Sequence, residues 1–186
     1  TNRQLLQYMQ KHFAEKAEIE LVEIKDIPVF NKPANKQVPE AILEIAAKIE
    51  EAGGVIIGTP EYDHSIPAVL MSALAWLSYG IYPLLSKPVM ITGASYGTLG
   101  SSRAQLQLRQ ILNSPEIKAT VLPDEFLLSH SLQAFDQNGD LVDLDVIKKL
   151  DAIFDDFRIF VKVTEKLRNA QELLRKDAED FDWENL

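Results

Sequence analysis

The groups of this chain that can do chemistry gather in two short polar segments, Thr59 to Ser65 (TPEYDHS) and Gly93 to Gly100 (GASYGTLG). In the second, Gly93, Gly97 and Gly100 permit close approach of a ligand and are expected to adopt positive φ, while Ser95 and free backbone N–H groups supply donors. Tyr62 and Tyr96, one in each segment, add aromatic faces with polar tips. A planar ring system rich in hydrogen-bonding groups suits such a lining. Its edge would be held by backbone donors of Glu61 to Asp63 and of Ser95 to Gly97.

Two strand–loop–helix units must position these segments. Val55 Ile56 Ile57 Gly58 is too short for a helix and rich in β-branched residues, so it reads as a strand buried on both faces. Behind it, Pro67 suits a first helical turn, and Val69, Leu70, Ala73, Leu74, Trp76 and Leu77 recur at helical spacing. The plan repeats with a strand from Pro88 to Ile91, a loop from Gly93 to Gly100, and a helix capped by Ser101 or Ser102 that carries Ala104, Leu106, Leu108, Ile111 and Leu112. Loops at the ends of neighbouring parallel strands form one crevice.

Elsewhere, the pattern predicts an amphipathic helix over Asn2 to Lys16, a strand over Ile19 to Ile24, and a helix from Pro39 stopped by Gly53 and Gly54. A strand over Ala119 to Leu122 follows, then an edge hairpin whose arms are Phe126 to Leu132 and Leu141 to Val142, turning at Asp136 to Asp140. From Asp143 onward, Val146, Leu150, Ile153, Phe154, Phe157, Phe160, Val161 and Leu167 keep helical spacing. Strands that alternate with helices imply an α/β fold with an open parallel sheet and helices on both faces. The expected organisation is one domain over residues 1–170 and a charged extension over residues 171–186.

Pro60 Glu61 Tyr62 Asp63 His64 Ser65 Ile66 Pro67 resembles the PEYN-x-S-x-P loop of the NAD(P)H-dependent FMN reductase family, the flavodoxin-like quinone, azo-dye and chromate reductases. Gly93 to Gly100, with Arg103 Ala104 Gln105 behind it, resembles that family's second flavin loop, GASxGxLGxxRAQ. Asp26 to Asn31 is similar to its DLPxY segment, and Thr1 Asn2 Arg3 to the tail of its phosphate loop. Together the likeness covers roughly residues 1 to 130. It implies a flavodoxin-like fold with strand order 2-1-3-4-5, bound FMN, NADPH or NADH as reductant and a small-molecule electron acceptor. It also implies a homodimer or homotetramer, and flavin contacts from Asn2, Pro60, Glu61, Tyr62, Asp63, Ser65, Ser95, Tyr96 and Gly97. The first strand and most of the phosphate loop of that pattern would precede Thr1. Asp63 stands where the family usually has Asn, an acceptor-only side chain in place of an amide.

Composition narrows the alternatives. The chain has no cysteine, which excludes a disulfide framework, a thiolate nucleophile and any thiolate metal site. A net charge of −9 opposes binding to nucleic acid or anionic lipid through a general field, no apolar run is long enough to span a bilayer, and cytoplasm is the expected compartment. His12, His64 and His130 lack metal-ligand spacing. Gly93, Ser95 and Gly97 also satisfy G-x-S-x-G, the pattern of a hydrolase serine. Thr98 to Gly100 delay the following helix, however, and His130 has only Asp124 and Glu125 close before it, so Ser95 reads as a loop donor. No side chain is expected to act as a catalytic acid, base or nucleophile, because the chemistry would reside on the flavin. A flavodoxin-like electron carrier or a redox-sensing protein is the alternative. Arg103 is open between binding a phosphate of the reductant and bracing its neighbouring loop, and His64 between a ligand contact and no role.

Overall fold

The computed structural model describes residues 1–179. Its elements are α1 (Asn2–His12), α2 (Glu40–Glu51), β1 (Val55–Gly58), α3 (Ala68–Trp76), β2 (Pro88–Ala94), α4 (Ser102–Leu112), β3 (Thr120–Val121), β4 (Phe126–Leu128) and α5 (Leu144–Glu179). All strand pairs are parallel, and β2 is the axis of the sheet. Every residue of β2 is buried, whereas all four of β1 are half-buried.

Period-two alternation along β2 divides the core. Val89 and Ile91 face a cluster with Ile42 and Ala46 of α2, Leu70 and Leu74 of α3, and Ala104, Leu108 and Leu112 of α4. Met90 and Ala94 face Leu5 and Met9 of α1, Phe13 just past its end, and Leu150, Phe154 and Phe157 of α5. Phe13 and Phe154 stack with ring centroids 3.7 Å apart. Helices therefore cover both faces of an open parallel sheet. Lys87, just before β2, closes the far end of the sheet: its ammonium donates to the carbonyls of Glu50 and Ala52 at the C-terminus of α2, at 3.2 and 2.7 Å.

Four expectations need correction. Residues 19–24 form no strand, because no ladder partner lies beside them among the described residues; alternating side chains make a strand only where a neighbour takes the backbone groups. That segment is instead held by side chains, with Gln10 donating to the Ile19 carbonyl at 2.7 Å and Arg3 pairing with Glu23 at 2.6 Å. Helix α1 ends at His12 rather than Lys16. Residues 126–132 are not a hairpin arm: β3 pairs with β2 at Pro88 and Val89, and β4 pairs with the same side of β2 at Thr92 to Ala94. Pro123, which lacks an N–H, separates the two pieces, and Arg109 donates to the carbonyls of Leu122 and Asp124 at 2.6 and 2.8 Å across the break. The antiparallel contact that does form joins Phe135 to Leu141. Lastly, β2 extends through Gly93 and Ala94, which the sequence pattern gives to the loop.

Helix α5 runs unbroken past residue 170 to Glu179, and the remainder of the charged extension, residues 180–186, lies outside the described residues. Among the described residues no helix is long and apolar enough to cross a membrane.

Candidate functional site

The loop after β1 is a tight turn. Tyr62 and Ser65 exchange backbone hydrogen bonds of 3.0 and 2.9 Å, and the two residues between them, Asp63 and His64, both lie in the left-handed region at φ 50° and 64°. Such a turn prefers glycine or asparagine, so its surroundings must hold it. Side chains from one face of α4 do so. The backbone N–H of Arg103 donates to Glu61 Oε2 at 3.0 Å, and its guanidinium pairs with Glu61 Oε1 while also donating to His64 Nε2 at 2.8 Å. One turn further along, Gln107 Oε1 accepts from Ser65 Oγ at 2.6 Å and from the Ile66 N–H at 3.0 Å.

The Glu61 side chain is 8% exposed. Burial by itself would raise its pKa, but the Arg103 side chain and the N–H groups of Arg103 and Ala104 outweigh burial and hold the carboxyl below the ordinary carboxylate range. Glu61 is therefore an ionised anchor whose charge is already neutralised, and Arg103 is the brace of the neighbouring loop.

The loop after β2 is held differently, by backbone. Ser95 N–H donates to the Leu128 carbonyl, and the N–H groups of His130 and Ser131 donate to the Gly97 and Ser95 carbonyls, each at 3.0 Å. Asn2 joins from α1, its side-chain amide donating to the Ala94 carbonyl and accepting from the Ala94 N–H, both at 2.9 Å. Of the three glycines, only Gly100 has positive φ, at 55°. Gly93 is needed for space: a Cβ there would stand 1.9 Å from Ser101 Oγ and 2.4 Å from the Thr59 carbonyl oxygen. Ser101 occupies the N-cap position without capping; its hydroxyl accepts instead from Gln105 at 3.2 Å. Gln105, fully buried, also donates to the Phe126 carbonyl at 3.0 Å and so ties this loop to β4.

Between the loops lies a cavity of about 790 Å³, lined by Asn2, Pro60, Glu61, Tyr62, Ser95, Tyr96 and Gly97 together with Thr1, Arg3, Ala94, Thr98, Leu99, Ser101 and Arg103. Seven of the nine sequence-derived contact residues thus share one cavity. Asp63 and Ser65 do not line it: Asp63 sits at the turn tip, and Ser65 turns toward Gln107. The N–H groups of Tyr96, Gly97 and Thr98 have no acceptor among the described residues. Three consecutive uncommitted donors at a cavity wall form a seat for an electron-rich ring edge or an anion. Ser95 Oγ donates to the Gly97 carbonyl at 3.2 Å, and no histidine nitrogen hydrogen-bonds to it, so a nucleophile–base pair is not assembled there.

Sequence reading missed Gln105, Gln107 and Arg109 as holders of the site. A trace was present: Arg103 with Gln107 and Gln105 with Arg109 are two i, i+4 pairs, which place polar groups on two separate stripes of a helix whose Ala104, Leu108 and Leu112 point inward.

Residues 1–133 match the family model described as NADPH-dependent FMN reductase. The chain belongs to this family. It is 50% identical over 185 residues to the NADH:(hydroxy)cinnamate reductase subunit CrdA of Vibrio ruber, covering 99% of this chain and 91% of that one. It is 45% identical over 171 residues to the NADH-dependent flavin reductase subunit 2 of Lactobacillus johnsonii, covering 89% and 92%. Among solved structures, the flavoenzyme NAD(P)H:(acceptor) oxidoreductase FerB of Paracoccus denitrificans superposes with a TM-score of 0.71 at 27% identity over 89% of this chain and 90% of that one. The fold is flavodoxin-like, and FMN and NAD(P)H are the cofactor and reductant of the family.

Proposed function

We propose that this FMN reductase carries electrons from NADH or NADPH through bound FMN to small planar acceptors such as quinones, free flavin or azo compounds. The observation that carries this reading is the row of uncommitted N–H groups at Tyr96, Gly97 and Thr98, residues that line one cavity together with the braced turn at Tyr62. The cavity and its donors fit a flavin. When bound, FMN supplies the chemistry of accepting a hydride and releasing electrons singly or in pairs.

The chain's own work is positional. Backbone donors of the second loop would hold the ring edge and stabilise negative charge that grows there on reduction. Asn2 keeps Ala94 and the start of that loop fixed. Tyr62 and Tyr96, 62% and 66% exposed, are free to cover a ring and to move aside for a second substrate. Neutralisation of Glu61 by Arg103 removes a carboxylate charge that would repel an anionic reductant in a chain of net charge −9. The two arginines at the cavity pair within the chain, Arg3 with Glu23 in an exposed bridge and Arg103 with Glu61. The reading extends to a cytoplasmic homodimer or homotetramer.

The test is anaerobic. Protein loaded with FMN is mixed with NADH and then with a benzoquinone, with absorbance followed near the flavin maximum. Rapid bleaching and recovery of colour are expected; slow bleaching, with electron exchange only to a protein partner, would assign an electron carrier instead.

A further inference from the structure

Loop 1, Pro60 to Ser65, places two non-glycine residues in succession in the left-handed region, a conformation that costs energy at each. Its backbone pairing between Tyr62 and Ser65 is local and cannot by itself orient the turn against the sheet. Two anchors reach it from α4. Arg103 grips the entry, at Glu61 and His64, and Gln107 grips the exit, at Ser65 and Ile66. The Gln107 anchor is chemically particular: one oxygen, Oε1, accepts both bonds, while its amide nitrogen has no partner among the described residues.

We infer that Gln107, a half-buried residue outside the cavity lining, is a positioning residue for flavin binding. Its side-chain oxygen fixes the exit of the Tyr62–Ser65 turn and so sets where the backbone of Glu61 and Tyr62 meets the ring. This rests on the flavin-binding reading above. What matters is an acceptor at this position, not an amide and not side-chain volume.

Two substitutions separate these. Gln107→Met keeps the length and removes the acceptor, whereas Gln107→Glu keeps an oxygen that accepts both bonds. Amide hydrogen exchange is read first on flavin-free protein. In the Met variant, exchange at Ser65 and Ile66 is expected to rise roughly tenfold, the effect of losing about one net hydrogen bond, and the FMN dissociation constant to rise by a similar factor. In the Glu variant both stay within about twofold of the parent, on the same estimate. Should Gln107→Met fail to fold, Ser65→Ala removes one of the two donors and is expected to give a smaller rise in exchange at Ile66 and in the FMN constant. Equal exchange in all variants, or equal weakening by Met and Glu, overturns the inference. If the parent chain binds no FMN, the functional reading fails instead, and exchange in the flavin-free variants still decides whether Gln107 sets the turn.

Discussion

The two loops that face the cavity are held in different ways. The first is strained in its backbone and secured by side chains, with Arg103 and Gln107 of α4 reaching across to Glu61, His64, Ser65 and Ile66. The second is secured chiefly by backbone hydrogen bonds to residues 128–131, with the Asn2 and Gln105 side chains tying its ends and Ser129 Oγ donating to the Thr98 carbonyl. A side-chain clamp can be retuned by single substitutions at modest cost, whereas the two ends of the second loop, at Gly93 and Gly100, leave no room for a Cβ. Both loops bring N–H groups without an acceptor among the described residues to the cavity lining, Glu61 in the first and Tyr96 to Thr98 in the second, and donors held in place beforehand stabilise charge without reorganisation.

Substitutions can break this contrast, and the largest effect belongs to the end of β2 that leads into the second loop. Gly93→Ala drives a methyl group against Ser101 Oγ and the Thr59 carbonyl, and its cost is expected to be about 3 kcal/mol or more in urea denaturation. A mild effect would mean that the second loop can shift like the first. Next comes Arg103→Met, which strands the largely buried Glu61 carboxylate. Because the Arg103 side chain is itself 45% exposed, the expected loss is about 2 kcal/mol, with accelerated proteolysis confined to the first loop.

The same pair gives a pH dependence of definite sign. The Glu61 pKa is lowered on folding, so its stabilising contribution is complete above its unfolded value near 4.5 and is lost as pH falls below that toward the folded value. Stability profiles of the parent and of Glu61→Gln should therefore converge in acid and separate above that range. At the small end, Asp63→Gly removes left-handed strain from the turn while leaving the Arg103 contacts in place. It should stabilise by roughly 0.5 kcal/mol, seen as a slight rise in melting temperature.

What could be read from sequence follows the same division. Val55 to Gly58 and the stretch from Pro88 were legible because strands covered on both faces are written as unbroken apolar runs, and their loops because glycine and proline mark them. Residues 19–24 were misread because alternation records which face a residue would present, not whether a neighbour exists to pair with it. Seven cavity residues were found from two motifs and the start of α1. The residues that hold the loops escaped notice because Gln105, Gln107 and Arg109 look like ordinary polar positions of a helix until its orientation against the sheet is known. The hairpin arms were misplaced because Pro123 divides one sheet edge into two pieces, which resembles the end of a sheet.

The most direct measurement of the central claim, that both loops grip one flavin, is an amide chemical-shift titration of the protein with FMN. The N–H signals of Glu61 and Tyr62 and of Tyr96 to Thr98 should move together and saturate at one equivalent. Movement of one loop alone, or saturation of binding with neither affected, would contradict it.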